Sequence, residues 1–143
     1  MIFKNVYRAK GAAEFLYEVL REREGAEFVN ISHTKLPTMA AHVRFVASKP
    51  FRYWYIITDA GTWCGYISAT QRNEIGIVLL KAHQGKGIGS LAVKAFMRSH
   101  KPLRAIPSDR SGCWLANINP NNRRSVRVFT GLGFTLKQVT YVK

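Results

Sequence analysis

The sequence predicts an α+β fold in which helices flank a mixed, mostly antiparallel central sheet. Three observations lead to this prediction: an amphipathic helical pattern near the N-terminus, a run of aromatic and β-branched residues typical of a hairpin, and a later alternation of helical and strand patterns. The 143 residues contain no internal repeat or linker, so we expect a single domain over residues 1–143.

The N-terminal third predicts a short strand and two helices. Residues 3–7 favour a strand, and apolar residues recur at helical spacing over 11–24, with charged residues on the other face and Gly25 as a stop. Residues 31–47 are ambiguous because a Leu-Pro pair interrupts them. Within that stretch, residues 40–46 suit a second short helix.

The rest of the chain predicts a hairpin and then alternating helices and strands. Residues 53–58 and 63–69 are rich in aromatic and β-branched residues and flank an Asp-Ala-Gly turn, so they favour a hairpin. Residues 74–80 favour a third antiparallel strand. Helical spacing resumes at Ile88 and again near Ser125. The remaining predicted strands are residues 114–118, before the last helix, and residues 134–142, after it.

Composition indicates a folded protein without a membrane segment. Hydrophobic residues make up 47% and aromatic residues 12% of the chain, which excludes a disordered protein. No apolar run approaches the roughly 20 residues that span a bilayer, and the N-terminus does not resemble a signal peptide, so we expect a cytoplasmic protein. Cys64 and Cys113 are too few for a disulfide framework and have no zinc-ligand spacing, so we expect both to be buried and no metal to be bound.

Basic charge is concentrated in the C-terminal part of the chain. The formal net charge is +14, from 22 Lys and Arg against 8 Asp and Glu. Residues 1–80 contribute +3, whereas residues 81–143 contain a single acid, Asp109, and contribute +11. Such a field attracts anionic partners, for example nucleic acid, a phosphorylated cofactor or an acidic protein. A basic surface that serves only solubility is the alternative.

A glycine-rich turn between a predicted strand and a predicted helix is the strongest functional signal. Gly85, Gly87 and Gly89 alternate along it, so the backbone can approach a ligand closely. The amides that open the helix form an anion site at the positive end of the helix dipole, and Lys86 adds a charge. The spacing fits neither a Walker A loop nor a dinucleotide-binding loop. A plain tight connection between strand and helix is the alternative.

Two blocks in this region resemble the GCN5-related N-acetyltransferases. Residues 84–89, Gln-Gly-Lys-Gly-Ile-Gly, match the family's Gln/Arg-x-x-Gly-x-Gly/Ala signature. Residues 117–134 resemble the second block, in which an Asn and a Ser three residues later precede a helix that ends in Gly-Phe. The resemblance implies an N-acetyltransferase that uses acetyl-CoA as cosubstrate. It also implies a sheet in which two parallel strands splay apart to form the acetyl-CoA cleft.

The resemblance further implies which residues hold acetyl-CoA. One strand would offer backbone groups to the pantetheine and to the thioester carbonyl, the glycine turn would hold the pyrophosphate, and the second block would line the far side. The implied cofactor-binding residues are Ile77, Val78, Leu79, Gln84, Gly85, Lys86, Gly87, Ile88, Gly89, Ser90, Asn122, Ser125 and Phe129. For Asn122 and Ser125, simple capping of the last helix explains the pattern equally well.

The family's usual proton donor is missing. Many members use a Tyr four residues after the Ser of the second block, and this chain has Phe129 there. Tyr141 or Tyr66 would have to replace it, or the thiolate leaves unassisted, as a thiol pKa near ~8.5 permits.

The general base stays open between several groups. Some members place a Glu where this chain has Asn117, which cannot accept a proton. Glu74 is the remaining carboxylate on the central strand, but its spacing from Leu79 is one residue shorter than in members that use a Glu there. Strand alternation could therefore turn it away from the site unless a bulge shifts the register. His42, His83 and a base that acts through water are the alternatives.

The acceptor amine is predicted from charge alone. A basic surface favours an anionic acceptor, or one on an anionic carrier such as nucleic acid, a nucleotide or a protein, over a polyamine. Residues 49–55 interleave cations and aromatic rings, which suits either the stacking of nucleic-acid bases or a strand in the core. Residues 107–112 form a polar loop that could line the acceptor site. The competing interpretation is a catalytically weak module that binds nucleic acid or a protein partner. A homodimer is left open.

Overall fold

The computed structural model of the protein describes residues 1–26 and 35–143. A single 3₁₀ turn in these ranges, Lys81–His83, joins the fourth strand to the third helix. The regular elements, in chain order, are β1 (Ile2–Asn5), α1 (Ala12–Arg23), α2 (Met39–Ala47), β2 (Tyr53–Asp59), β3 (Thr62–Ala69), β4 (Ile75–Leu79), α3 (Ile88–Ser99) and α4 (Arg123–Gly131). No helix in the described ranges is long and apolar enough to cross a membrane.

The helices pack on the two faces of a four-stranded sheet. Its four strands pair antiparallel in the order β1-β2-β3-β4, so the predicted hairpin and third strand are confirmed. Side chains alternate between two faces. One face packs on α3 and α4 through Ile57, Ile67, Ala69, Ile75 and Phe96. The other face packs on α1 through Val6, Ala12, Leu16, Trp54 and Ile56.

The first two helices follow the sequence prediction. α1 ends next to Gly25, whose φ of 76° is the left-handed conformation expected at a helix stop. α2 begins after Thr38, whose hydroxyl oxygen accepts a hydrogen bond from the Ala41 amide at 3.2 Å. The second helix is therefore confirmed within the ambiguous stretch, of which residues 31–34 lie outside the described residues.

Gly65 allows β3 and β4 to approach each other closely. A Cβ on Gly65 would lie 2.0 Å from the Val78 carbonyl oxygen, which no side chain can tolerate. On its other side, the pairing of β2 with β3 shifts register between Ile57 and Thr58. The missing side chain of Gly65 therefore lets the backbone of β4, the strand that carries the candidate site, lie close to β3.

Two predicted strands are wrong as continuous elements. Residues 114–118 pair with β4 through one parallel bridge, between Glu74 and Leu115. Residues 134–142 form no strand, and Tyr141 is 92% exposed. The sequence of this tail alternates, but alternation forms a strand only where one face can pack and one edge can pair. The expectation for the cysteines is half right, since Cys64 is buried and Cys113 is exposed.

Candidate active site

A cleft of about 760 Å³ opens beside β4 and extends to α3 and α4. At the start of the cleft, β4 still pairs with the segment around Leu115. The Ile75 amide donates to the Leu115 carbonyl at 2.8 Å, and the Leu115 amide donates to the Asn73 carbonyl at 2.9 Å. In the described ranges, no backbone hydrogen bond joins β4 to the chain after Leu115. The two parallel segments therefore separate beyond one bridge, and the cleft occupies the gap.

The edge of β4 presents backbone groups to this gap. The Ile75 amide points outward to Leu115, whereas the Leu80 amide points back and donates to Cys64 of β3 at 2.9 Å. Because amides alternate in direction along a strand, those of Ile77 and Leu79 point into the cleft and that of Val78 points to β3. Of the three residues implied to bind pantetheine, only the two odd-numbered ones thus offer an amide.

The glycine turn forms one end of the cleft. Gly85 and Gly87 have φ angles of 75° and 77°, which glycine adopts without strain, and Gly87 is the N-cap of α3. In the part of the chain that the structure describes, none of the amides from Gly85 to Ser90 donates to another protein group. Six consecutive residues with unpaired amides at a helix start form an anion site.

Helix α4 forms the opposite wall. The Asn122 side chain accepts a hydrogen bond from the Ser125 amide at 3.2 Å, so the capping role expected for Asn122 is present. Arg124 donates to the Gln84 side-chain oxygen, and the Gln84 amide group donates to the Leu79 carbonyl at 2.8 Å. Gln84 therefore connects β4 to α4 at the turn. Every residue implied to bind the cofactor lines this cleft except Lys86, which is exposed beside it.

The other end of the cleft contains Glu74. Its Oε2 accepts a hydrogen bond from the Thr70 hydroxyl at 3.1 Å, and its Oε1 accepts one from the Asn117 side-chain amide at 3.0 Å. The carboxylate lines the cleft, so the doubt raised by strand alternation does not apply. In the sequence alone, Asn117 stands out only as a missing base, and Thr70 does not stand out. A hydroxyl four residues before a carboxylate, across a turn, is the signal that could have revealed the contact.

Tyr66 lies on the same side of the cleft. It pairs with Val78 in the β3–β4 register and contacts the Trp54 ring edge-on, with centroids 5.9 Å apart. Burial raises the pKa of the Tyr66 hydroxyl, and a hydrogen bond from Arg23 partly offsets that effect. Arg23 has only donor groups, so the Tyr66 oxygen accepts and its own proton can point to a ligand. Arg23 also lines the cleft, which the sequence did not indicate.

Several other candidates lie away from the cleft. His42 is buried between α1 and α2, and its Nε2 donates to the Ala13 carbonyl at 2.8 Å. Tyr141 is in the exposed tail, and His83 is half-buried in the 3₁₀ turn without lining the cleft. We therefore do not assign these three to the chemistry. The 107–112 loop does not line the cleft either.

The aromatic segment 49–55 is largely structural. Trp54 is buried in the core, and Tyr53 and Tyr55 pack against Phe96 of α3 and against His100, the C-cap of that helix. Only Phe51 lines the cleft. The core-strand interpretation of this segment therefore accounts for most of its rings.

Comparison with known proteins identifies the family of the chain. A family model described as an acetyltransferase (GNAT) domain matches residues 3–135. No curated protein matches the chain. Among solved structures, the microcin C7 self-immunity acetyltransferase MccE, in complex with acetyl-CoA and AMP, is similar, with 18% identity over 92% of this chain and 78% of that chain and a TM-score of 0.68.

Two further structures are similar at comparable identity. A GNAT-family acetyltransferase from Streptococcus pneumoniae shares 19% identity over 96% of this chain and 86% of that chain, with a TM-score of 0.63. An N-acetyltransferase from Staphylococcus aureus Mu50 shares 18% identity over 93% of this chain and 82% of that chain, with a TM-score of 0.61. These identities show a shared fold, while the family model covers nearly the whole chain. The chain therefore belongs to the GNAT acetyltransferase family.

Proposed function

We propose that this chain is an N-acetyltransferase that moves the acetyl group of acetyl-CoA to a primary amine. The observation that carries the proposal is a single cleft with an anion-binding turn at residues 85–90 and the carboxylate of Glu74. The turn suits the phosphates of CoA, and the carboxylate suits the deprotonation of an amine. The complex of MccE with acetyl-CoA supports the same cosubstrate here.

In this proposal acetyl-CoA lies along β4 with its pyrophosphate at the glycine turn. The amides of residues 85–90 receive the pyrophosphate oxygens, and Arg124 lies at the same end because it is bonded to Gln84. The amides of Ile77 and Leu79 point into the cleft and are the donors for the pantetheine and the thioester carbonyl. A donor at that carbonyl stabilises the negative charge that develops on its oxygen when the amine attacks.

Glu74 is the proposed base and Tyr66 the proposed acid. Glu74 takes a proton from the acceptor amine, directly or through one water, and the amine nitrogen attacks the thioester carbon. The C–N bond forms, the C–S bond breaks, and the CoA sulfur leaves as a thiolate. Tyr66 pairs with Val78 of β4, along which the thioester lies in this proposal, so it is close to the leaving sulfur. Its hydroxyl stays protonated because burial raises its pKa. Its proton goes to the leaving sulfur.

The proposed acceptor is an amine that is anionic or is attached to an anionic carrier. Glu74 is the single carboxylate lining the cleft in residues 1–26 and 35–143, whereas Arg23, Arg124 and Arg127 all line it. A polycationic acceptor would find one carboxylate and would be repelled by the basic surface. MccE was solved with AMP as well as acetyl-CoA, which supports a nucleotide-linked amine as one member of this class.

Calorimetry with acetyl-CoA tests the cofactor site. Gly87→Glu places a carboxylate among the amides of the turn and is expected to abolish measurable binding. Gly11→Glu is a matched control: Gly11 is also a helix N-cap, with φ 80° against 77° for Gly87, and a Cβ at either position meets nothing within 4 Å. The control is expected to bind as the native protein does. Equal affinities of the two variants would refute the site.

Turnover of labelled acetyl-CoA tests the acceptor. The panel comprises a nucleotide-linked amine, amine-bearing RNA, a protein and spermidine, each at low and moderate salt. The rate with a polyanionic acceptor is expected to fall steeply with salt because its binding releases counterions. Spermidine as the best acceptor, at a rate that salt does not lower, would contradict the charge argument. Binding of acetyl-CoA without turnover of any amine would favour the non-catalytic module.

A further inference from the structure

We propose that Thr70 and Asn117 are positioning residues, which hold the Glu74 carboxylate from two sides in the orientation that the base needs. The inference rests on the proposed function, because it assigns these two residues a role only through Glu74. Neither side chain carries a charge, and neither was singled out by the sequence as a contributor to the chemistry.

The Thr70 hydroxyl is aimed at Glu74 by the turn that precedes β4. Its oxygen accepts hydrogen bonds from the amides of Arg72 at 3.1 Å and Glu74 at 3.2 Å. A hydroxyl has two acceptor lone pairs and one proton, so both lone pairs are occupied by the backbone. The proton is left to donate to Glu74 Oε2, at 3.1 Å. The turn therefore fixes both the place and the direction of this donor.

Asn117, in the segment between Leu115 and α4, holds the other carboxylate oxygen. Its side-chain amide donates to Glu74 Oε1 at 3.0 Å. Asn117 follows Leu115, whose bridge to Glu74 marks the point where the two parallel segments separate. The side-chain hydrogen bond thus continues the connection between the walls one step past the last backbone pairing. Loss of Asn117 would leave the carboxylate bound on one side only.

The remaining ionisable groups of the cleft come from three other elements. Arg23 lies on α1, Tyr66 on β3, and Arg124 and Arg127 on α4. The hydrogen bonds described for the Glu74 side chain come from the two neutral donors. A carboxylate has about four acceptor sites, so two donors still leave a lone pair on each oxygen to receive a proton. The arrangement orients the base without blocking it.

The test compares Thr70→Val and Asn117→Ala with Thr130→Val and Asn121→Ala. The control positions are an exposed threonine on α4 and an exposed asparagine, neither of which lines the cleft. We expect acetyl-CoA affinity to be unchanged in all four variants. We expect kcat/KM to fall about tenfold in the first pair only, a part of the roughly 10²–10⁴-fold that a positioned base contributes.

Conservative variants separate positioning from general loss of structure. Thr70→Val and Asn117→Ala are expected to lower kcat while KM for acetyl-CoA stays native, because the loss falls on the base and not on the glycine turn. Thr70→Ser, which keeps the hydroxyl, is expected to restore the native kcat. Asn117→Asp replaces the donor with a second carboxylate, which cannot donate to Glu74 Oε1, and is expected to be no more active than Asn117→Ala. If Thr70→Val does not fold, the two Asn117 variants decide the question.

The outcomes distinguish this inference from the proposed function. If Glu74→Gln is inactive but Thr70→Val and Asn117→Ala keep the native kcat, the positioning role is overturned and the base assignment stands. If Glu74→Gln is as active as the native protein, the base assignment fails and this inference fails with it. Lower rates that Thr70→Ser does not restore would show that the two residues serve only structure.

Discussion

Asn73 is the residue whose replacement we expect to damage the fold most clearly. It is fully buried, and its φ of 65° is in the left-handed region. Its side-chain amide donates to the carbonyls of Leu103 at 2.9 Å and Ser111 at 2.8 Å, and its side-chain oxygen accepts from the Leu103 amide at 2.7 Å. One side chain therefore attaches the 101–112 loop to the start of β4.

The magnitude follows from the groups that Asn73→Ala would leave behind. One amide and two carbonyls lose their partners. Because Leu103 is half-buried and Ser111 is exposed, water can reach these groups, so each costs about 1 kcal/mol, the low end of the range for an unpaired group. Alanine in the left-handed region adds about 1 kcal/mol. We therefore expect the free energy of unfolding to fall by about 3–5 kcal/mol, a large share of the roughly 5–15 kcal/mol typical of a domain. For a chain of this size that corresponds to a melting temperature lower by about 10–15 °C.

Urea unfolding followed by tryptophan fluorescence measures this loss. Asn73→Gly removes the same hydrogen bonds but relieves the left-handed conformation, so its loss should be about 1 kcal/mol smaller than that of Asn73→Ala. Asn121→Ala, at an exposed asparagine, should change the free energy of unfolding by less than about 0.5 kcal/mol. An Asn73→Ala protein within about 1 kcal/mol of native would refute the reasoning, because the three hydrogen bonds of a fully buried side chain would then cost almost nothing to lose.

Three other predictions concern tyrosines. Tyr66→Phe should lower kcat while acetyl-CoA affinity measured by calorimetry stays native, and a native kcat would exclude Tyr66 as the acid. Phe129→Tyr should preserve or raise turnover in the same assay, because it restores the family's usual proton donor; an inactive variant that still binds acetyl-CoA would contradict this. Burial raises the pKa of Tyr7, Tyr55 and Tyr66 above the ordinary 10.0, so the unfolded chain loses these protons first and the free energy of unfolding should fall above pH 10. Urea titrations at pH 9 and pH 11 measure that fall, which should be smaller in Tyr66→Phe.

The parts of the fold that the sequence predicted are those that local rules determine. The β2–β3 hairpin follows from two β-rich runs around a short turn, and α3 follows from helical spacing after alternating glycines. The anion site at Gly87 is equally local, because a helix start with unpaired amides needs no distant partner. These elements carry most of the cofactor end of the cleft.

The wrong predictions fall where an element needs a partner supplied by tertiary structure. Residues 114–118 have strand-like composition, but the neighbouring β4 pairs with them at one residue before the segments separate. Residues 134–142 alternate suitably, yet Leu136 and Val139 are exposed because no described strand edge pairs with them. Composition cannot show whether an edge will be free or splayed, since that depends on the whole sheet.

Glu74 shows why a count along the strand could not locate the base. Counting back from Leu79 assumes that the pleat of β4 continues through Glu74, but β4 begins at Ile75 and the chain enters it from a left-handed residue, Asn73. The carboxylate is held by Thr70, which belongs to the preceding turn, and by Asn117, which belongs to the segment between Leu115 and α4. The proposal of Glu74 as the base therefore rests on the contacts of its carboxylate and on its place in the cleft, and not on its spacing in the sequence. Asn73 affects both the fold and the site: its side chain holds the 101–112 loop, and the residue ends the turn that positions Glu74. Its loss should therefore lower activity more than Gly11→Glu does, even under conditions where both proteins are fully folded.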